Sequence, residues 1–503
     1  MRKHGLADNI VGSLLVFLAS TIHSAEDLWP DTQQVNFAEF SATNRTTYNH
    51  FSDQNDAQYT QWLSEQWQEY RLFRGDVRDS QPKPLLAPNI NTTPSSATEL
   101  STTTASSAVA TSSQPITTNA QSSNATIPGH DVALPATKLD KLLREQQSPP
   151  SGSLNFYSQQ LFIPAPQVQL SDIKTEADIA RNWSALAQAD YGTTLNSLRQ
   201  EQQRLHLSDW GMMQLIQAHA RQHYNSANAS TLYSWFLLNK LGYRLRAGMN
   251  DSQLNLLYAA QQTVYEKSYL LIEGERFYLL NTPLQAGLTL RTPFKEYPNA
   301  HRRIDLRFAA NLATAKPLSN QIITHNNKRY TITTTSSRRQ FLDQYPQLDL
   351  EYYFRAPIAK VTADSLRQQL LPELKDKTPL QQVNWLLAWV QQSFDYQTDQ
   401  AQYGKENYLH PEEALSVTSS DCEDRAFLFS WLVKELVGLP VIGLNYPGHV
   451  ATAISFNEDK QGPSTGQQLS HKGKIYWVAD PTYIGAEAGL IMPQYRSITP
   501  SVL

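Results

Sequence analysis

Cys422, His449 and Asp480 are the residues of this 503-residue chain whose types, order and spacing point most directly to chemistry. Cys422 is the only cysteine, and it sits in Ser420-Asp421-Cys422-Glu423-Asp424-Arg425. His449 follows 27 residues later in Tyr446-Pro447-Gly448-His449-Val450, and Asp480 comes 31 residues after that in Val478-Ala479-Asp480-Pro481. A thiolate is intrinsically nucleophilic and works with a base within hydrogen-bond reach. A carboxylate that orients the base completes the set. The three residues are candidates for those roles in attack on an acyl carbon.

Each needs an element to hold it. Ala426, Phe429, Leu432, Val433 and Leu436 recur at helical spacing after Cys422, and Gly438 and Pro440 stop the run. Cys422 therefore belongs at a helix N-terminus, where backbone N–H groups favour a thiolate and can hold an oxyanion. Asp421, Glu423 and Asp424 pull the other way and should raise the thiol's pKa. These acids also suit capping the helix, pairing with Arg425, or binding calcium through oxygen ligands. His449 opens an apolar strand after a Pro-Gly turn, and Asp480 ends the strand from Ile475 to Ala479. A buried core cysteine, a structural histidine and a turn-capping aspartate are the plain alternatives. Tyr396, Asp399, Tyr403 and Glu406 precede the cysteine and either shape a cleft or pack a loop.

The rest of the chain divides by composition. Arg2, Lys3 and His4 precede an apolar run from Ile10 to Ala19, which reads as a secretory signal over 1–25. The run is too short to span a bilayer, so the expectation is an exported, periplasmic protein with no transmembrane segment after signal removal. Residues 26–88 form an N-terminal helical segment, with one amphipathic helix over 53–75 carrying Tyr59, Trp62, Leu63, Trp67, Tyr70 and Phe73, and Gly75 as its stop. Its aromatic face either packs on this chain or docks a cell-envelope partner. Residues 89–150 are Ser/Thr-rich and read as a disordered linker, with sequons at Asn91 and Asn124. Residues 151–290 are a helical then α+β domain, helical over 174–242, with strands at 264–272 and 275–281 around Gly274. Residues 291–360 read as β-rich, with a hairpin across Asn326-Asn327 and a strand at Leu350–Phe354. Residues 361–503 form the domain with the candidate site. In it a Thr378-Pro379 capping box starts a helix to about Phe394, and strands fall at 441–445, 449–456 and 474–480.

Tyr233-Ser234-Trp235-Phe236-Leu237 and Phe429-Ser430-Trp431-Leu432-Val433 suggest an internal repeat, with Ser208 and Thr378 as helix caps. In the earlier copy Leu254 stands near the place of His449, Asn281 near that of Asp480, and no cysteine occurs. That copy would be a degenerate lobe.

The Asp-Cys-Glu-Asp helix start, the Tyr-Pro-Gly-His strand and the Asp-Pro-Thr strand end resemble the transglutaminase-like, papain-related superfamily over about 375–490. The resemblance implies an α+β fold, a cysteine-bearing helix packed on an antiparallel sheet. It implies Cys422 as nucleophile, His449 as base and Asp480 as orienting carboxylate. It is similar in particular to exported bacterial calcium-dependent proteases that cleave adhesins, which makes Asp421 and Glu423 calcium candidates. The implied activity is a cysteine hydrolase acting on an amide of a peptide or protein, or a transglutaminase if an amine accepts the acyl group. The alternative is a non-catalytic envelope scaffold.

Composition limits other classes. An apolar content of 40 % and an aromatic content of 10 % support packed cores. A net charge of −4 without basic runs argues against a general nucleic-acid binder. One cysteine excludes an intramolecular disulfide and a zinc site of several thiolates.

Overall fold

The computed structural model describes residues 53–77, 83–91, 153–280, 287–309, 312, 316–456 and 462–503. The signal segment, Asn124, Asn281 and nearly all of the linker lie outside the described residues. The chain is α+β, with two main antiparallel sheets and helices packed on them. Among the described residues no helix is long and apolar enough to cross a membrane.

Among the described residues the first element is a helix over 53–65, shorter than the expected 53–75. Its aromatic face is covered by this chain, with the Tyr59 ring 5.1 Å from Trp183 and 6.1 Å from Trp235. Tyr59 and Leu63 are thereby buried, while Trp62 stays partly exposed. Beyond it, β1 (Trp67–Arg71) pairs antiparallel with Thr289–Pro293, so sheet hydrogen bonds override the helical spacing of Trp67, Tyr70 and Phe73. Gly75 does not stop a helix. It passes the Lys267 backbone so closely that a Cβ would lie 2.4 Å from the Lys267 nitrogen.

A small hairpin, β2 (Leu154–Phe156) with β3 (Gln159–Leu161), leads into four helices. They span Glu176–Gln188, Gly192–Arg204, Asp209–His223 and Ala227–Lys240. Thr175, Ser208 and Ser226 cap three of them through side-chain oxygens. Then come β4 (Leu245–Asn250), β5 (Gln253–Ala259), β6 (Tyr269–Ile272), β7 (Glu275–Leu279) and β8 (Thr289–Pro293), ordered β1-β8-β4-β5-β7-β6. The expected strand from 264 starts only at Tyr269. Before it the backbone bonds elsewhere, Tyr265 N–H to the Gln347 carbonyl and Glu266 N–H to that of Asp76.

Residues 291–360 hold less β structure than expected. The hairpin across Asn326-Asn327 forms, as β9 (Leu318–His325) and β10 (Lys328–Thr335), with both asparagines at positive φ. Leu350–Phe354 is no strand, because Leu350–Tyr353 is a short helix. Adjacent Tyr353 and Phe354 both contact the Phe427 ring, at 5.1 and 4.9 Å, which strand alternation would forbid.

The capping box at Thr378 starts the helix Pro379–Ser393. The short parallel pair β11 (Asp395–Tyr396) and β12 (Ser419–Ser420) brackets the loop before the cysteine helix, Cys422–Leu432. That helix passes through a π turn at Val433–Val437 and stops at Gly438, where φ is +71°. Five strands follow: β13 (Val441–Tyr446), β14 (His449–Ile454), β15 (Gln468–His471), β16 (Lys474–Ala479) and β17 (Ser501–Val502). Their order is β15-β16-β14-β13-β17.

The two sheets share a plan. In each a helix is followed by a hairpin, a second hairpin whose later strand pairs with the first, and a final strand beside the opening one. The register agrees too. Tyr233/Phe429, Asn250/Tyr446 and Gln253/His449 are all 196 residues apart. Leu257 pairs with Leu279 as Ala453 pairs with Val478, four residues into each strand. The place of His449 is thus held by Gln253, not Leu254, and that of Cys422 by the helix cap Ser226. The lobes are not separate cores. One apolar cluster runs from Tyr59 and Trp183 through Tyr353 to Phe427 and Val450.

Because backbone cannot yield as a side-chain tip can, Gly75→Ala should destabilise the chain by about 1–3 kcal/mol. Thermal unfolding checks this, and an unchanged midpoint would contradict the close approach to Lys267.

Candidate active site

His449 and Asp480 are brought together by the sheet. The Pro447-Gly448 turn, with Gly448 at φ +68°, pairs Tyr446 with His449 and sets the imidazole at the start of β14. β16 lies beside β14, with Thr452 opposite Ala479, so the residue after β16 reaches the histidine. His449 Nε2 donates to Asp480 Oδ2 at 2.8 Å. The other carboxylate oxygen accepts from the backbone N–H groups of Thr482 at 2.9 Å and Tyr483 at 3.3 Å. Gln391 Nε2 holds the Asp480 carbonyl at 3.1 Å and that of Ala486 at 3.0 Å, locking the turn from the Pro379–Ser393 helix. Tyr495 stacks on the imidazole with centroids 5.1 Å apart and planes at 16°. Since Nε2 is engaged, Nδ1 is the nitrogen left to accept a proton, and it is buried without a hydrogen bond.

Cys422 stands at the first turn of a helix that packs on β14. Burial is the main cause that pushes the hydroxyl of Tyr495, whose ring stacks on His449, up to about 12. Cys422 is 0 %, Asp480 1 % and His449 2 % exposed, so all three are closed to solvent. The thiol donates to Glu423 Oε2 at 3.0 Å. Burial, then Glu423 and Asp421, raises its pKa well above the ordinary thiol range, while Lys83 pulls against that rise. The helix N-terminus loses this contest, and the resting sulfur is a thiol.

The acids around Cys422 do not act as the sequence suggests. Asp421 is the N-cap residue yet makes no side-chain capping bond. Asp424, in the first turn, accepts at Oδ1 from the Leu409 N–H at 2.8 Å, outside its own helix. Arg425 pairs with none of the three. It is buried, donating to the Phe394 carbonyl at 2.6 Å and to Ser420 Oγ at 3.3 Å. Its guanidinium also lies 5.5 Å from the Tyr396 ring.

Asp399 and Glu406 join Asp421 and Glu423 to form one acidic cage, while Tyr403 stays at the surface. The cage has a resident cation, Lys83, from the N-terminal region. Its ammonium lies 2.6 Å from Glu406 and 2.9 Å from Asp421, and it also pairs with Glu423. Its side chain is 3 % exposed. Burial alone would lower its pKa, but Glu423 and Asp421 outweigh that and hold it charged. As it stands, the donor set does not fit a bound calcium ion, because an ammonium fills its centre.

Lys83, Gln391 and Tyr495 are the residues that sequence reasoning missed. Gln391 left a signal, a polar side chain on the buried face of an otherwise apolar helix. Lys83 and Tyr495 left none, since each lies in a short irregular segment far in sequence from what it touches.

Burial, then Asp421 and Glu423, pushes Asp399 up to about 9, whereas an unfolded aspartate titrates near about 3.9. The stability carried by that retained proton is complete below about pH 4 and is lost as pH rises through about 9. Asp399→Asn should therefore flatten the fall in melting temperature over that range. An unchanged slope would contradict the assignment.

Comparison with protein-family models, with curated proteins and with solved structures finds no match to this chain.

Proposed function

We propose that this protein is an exported cysteine hydrolase of transglutaminase-like architecture, acting on amide bonds of a peptide or protein. The observation that carries the reading is the buried His449–Asp480 pair at 2.8 Å, with Nδ1 unengaged, on a strand that packs against the helix bearing Cys422. In this reading His449 Nδ1 takes the thiol proton as the sulfur attacks the carbonyl. Asp480 holds the imidazole and balances its positive charge. The Cys422 backbone N–H, at a helix start, would face the oxyanion. His449 returns the proton to the leaving amine, and water then clears the thioester. An amine in place of water makes the reaction a transamidation.

The shared plan of the two sheets supports a further part of the reading. The first lobe is a copy of the same core in which Ser226 and Gln253 replace the nucleophile and the base. That leaves one chemically equipped site and one lobe for recognition or support.

The second reading, a non-catalytic scaffold of the cell envelope, is favoured by a different observation. The thiol is fully buried, bonded to Glu423 and held protonated.

An activated ester separates them. With p-nitrophenyl acetate, intact mass should show one acetyl group on wild type, removed by hydroxylamine and absent in Cys422→Ala. His449→Ala should slow acylation by at least about 100-fold, as loss of a general base does. Absence of acylation in wild type would favour the scaffold.

A further inference from the structure

Asp399, Glu406, Asp421 and Glu423 each bring a carboxylate oxygen to within 4.8 Å of the others. Oxygen donors so spaced are what a hard divalent cation takes. Here the positive charge is covalently part of the chain, because the Lys83 ammonium bonds to three of the four. One buried oxygen, Asp421 Oδ1, still has no hydrogen bond.

Lys83 lies in a strap, described over 83–91, that is anchored at two places. At the far end the Pro88 carbonyl accepts from the Ile484 N–H at 2.9 Å, and the Ile90 N–H donates to the Ile484 carbonyl at 3.1 Å. Ile484 lies in the turn that follows Asp480. The strap therefore runs from the start of the cysteine helix to the loop that carries Asp480. Apolar burial does not hold its middle, since Leu85 and Leu86 are 83 % and 81 % exposed. The ion pairs at Lys83 and the bonds at Ile484 do the holding.

We propose that Lys83 is a tethered cation that occupies the four-carboxylate site in place of a metal, latching the strap to the cysteine helix. Withdrawing the ammonium leaves a site that a divalent cation of calcium's type can fill. This does not depend on the chain being an enzyme.

The test is thermal unfolding of the full chain in calcium chloride and in EDTA. Wild type should melt at the same temperature in both. Lys83→Met should lose on the order of 5–10 °C in EDTA, as a buried cluster stripped of its partner does. Calcium should recover most of that loss, and Lys83→Met/Glu406→Gln should recover much less. A wild type stabilised by calcium as strongly as Lys83→Met would overturn the proposal. So would a Lys83→Met that neither loses stability nor responds to calcium. If Lys83→Met folds only with calcium, the proposal stands. If it folds in neither, Glu406→Gln in the wild-type background decides: a lowered midpoint supports the latch, and an unchanged one overturns it.

Discussion

A single buried ammonium among carboxylates sets the state of the cysteine half of the candidate site. Asp421 and Glu423 flank Cys422, and Asp399 and Glu406 are brought to them by the loop between β11 and β12. Without a cation, four acids, three of them fully buried, would repel one another at the cost of burying unpaired charge. Lys83 offsets part of that repulsion. Burial and mutual repulsion answer the remainder by raising the pKa of Asp399 and of Asp421. Protonation of the thiol follows from burial together with this balance.

The second constraint is geometric. A hairpin turn at Pro447-Gly448 and the pairing of β14 with β16 set an imidazole and a carboxylate at one place. Gln391 and the N–H groups of Thr482 and Tyr483 fix the carboxylate, and Tyr495 covers the ring. The histidine–aspartate half is thus pre-organised. The thiol half is not, because its hydrogen bond runs to Glu423. In the proposed reaction that bond is exchanged for one to His449 once a carbonyl is in place, against the opposition of the acids beside the sulfur.

Local signals were legible in the sequence where local physics dominates. The Thr378 box, the Asn326-Asn327 hairpin, the cysteine at a helix start and the strand positions of His449 and Asp480 all appear as read. Reading failed where distant contacts decide. Trp67 and Tyr70 keep helical spacing yet join a sheet edge, and Leu350–Phe354 looks extended yet coils to pack two rings on Phe427. The shared plan of the two sheets was faint in side chains but plain in strand order, since a fold constrains register more tightly than identity. Lys83 was illegible for the same reason: its partners lie more than 300 residues away.

The most direct measurement is the alkylation rate of Cys422 by iodoacetamide as a function of pH, read by intact mass on wild type. One cysteine in the chain makes the reading unambiguous. The expected result is a rate that rises only well above the ordinary thiol value of about 8.5, because burial, Glu423 and Asp421 hold the proton on sulfur. Fast reaction with a midpoint at or below that value would contradict the closed, protonated site described here. It would mean that the helix N-terminus and His449 prevail over the acids.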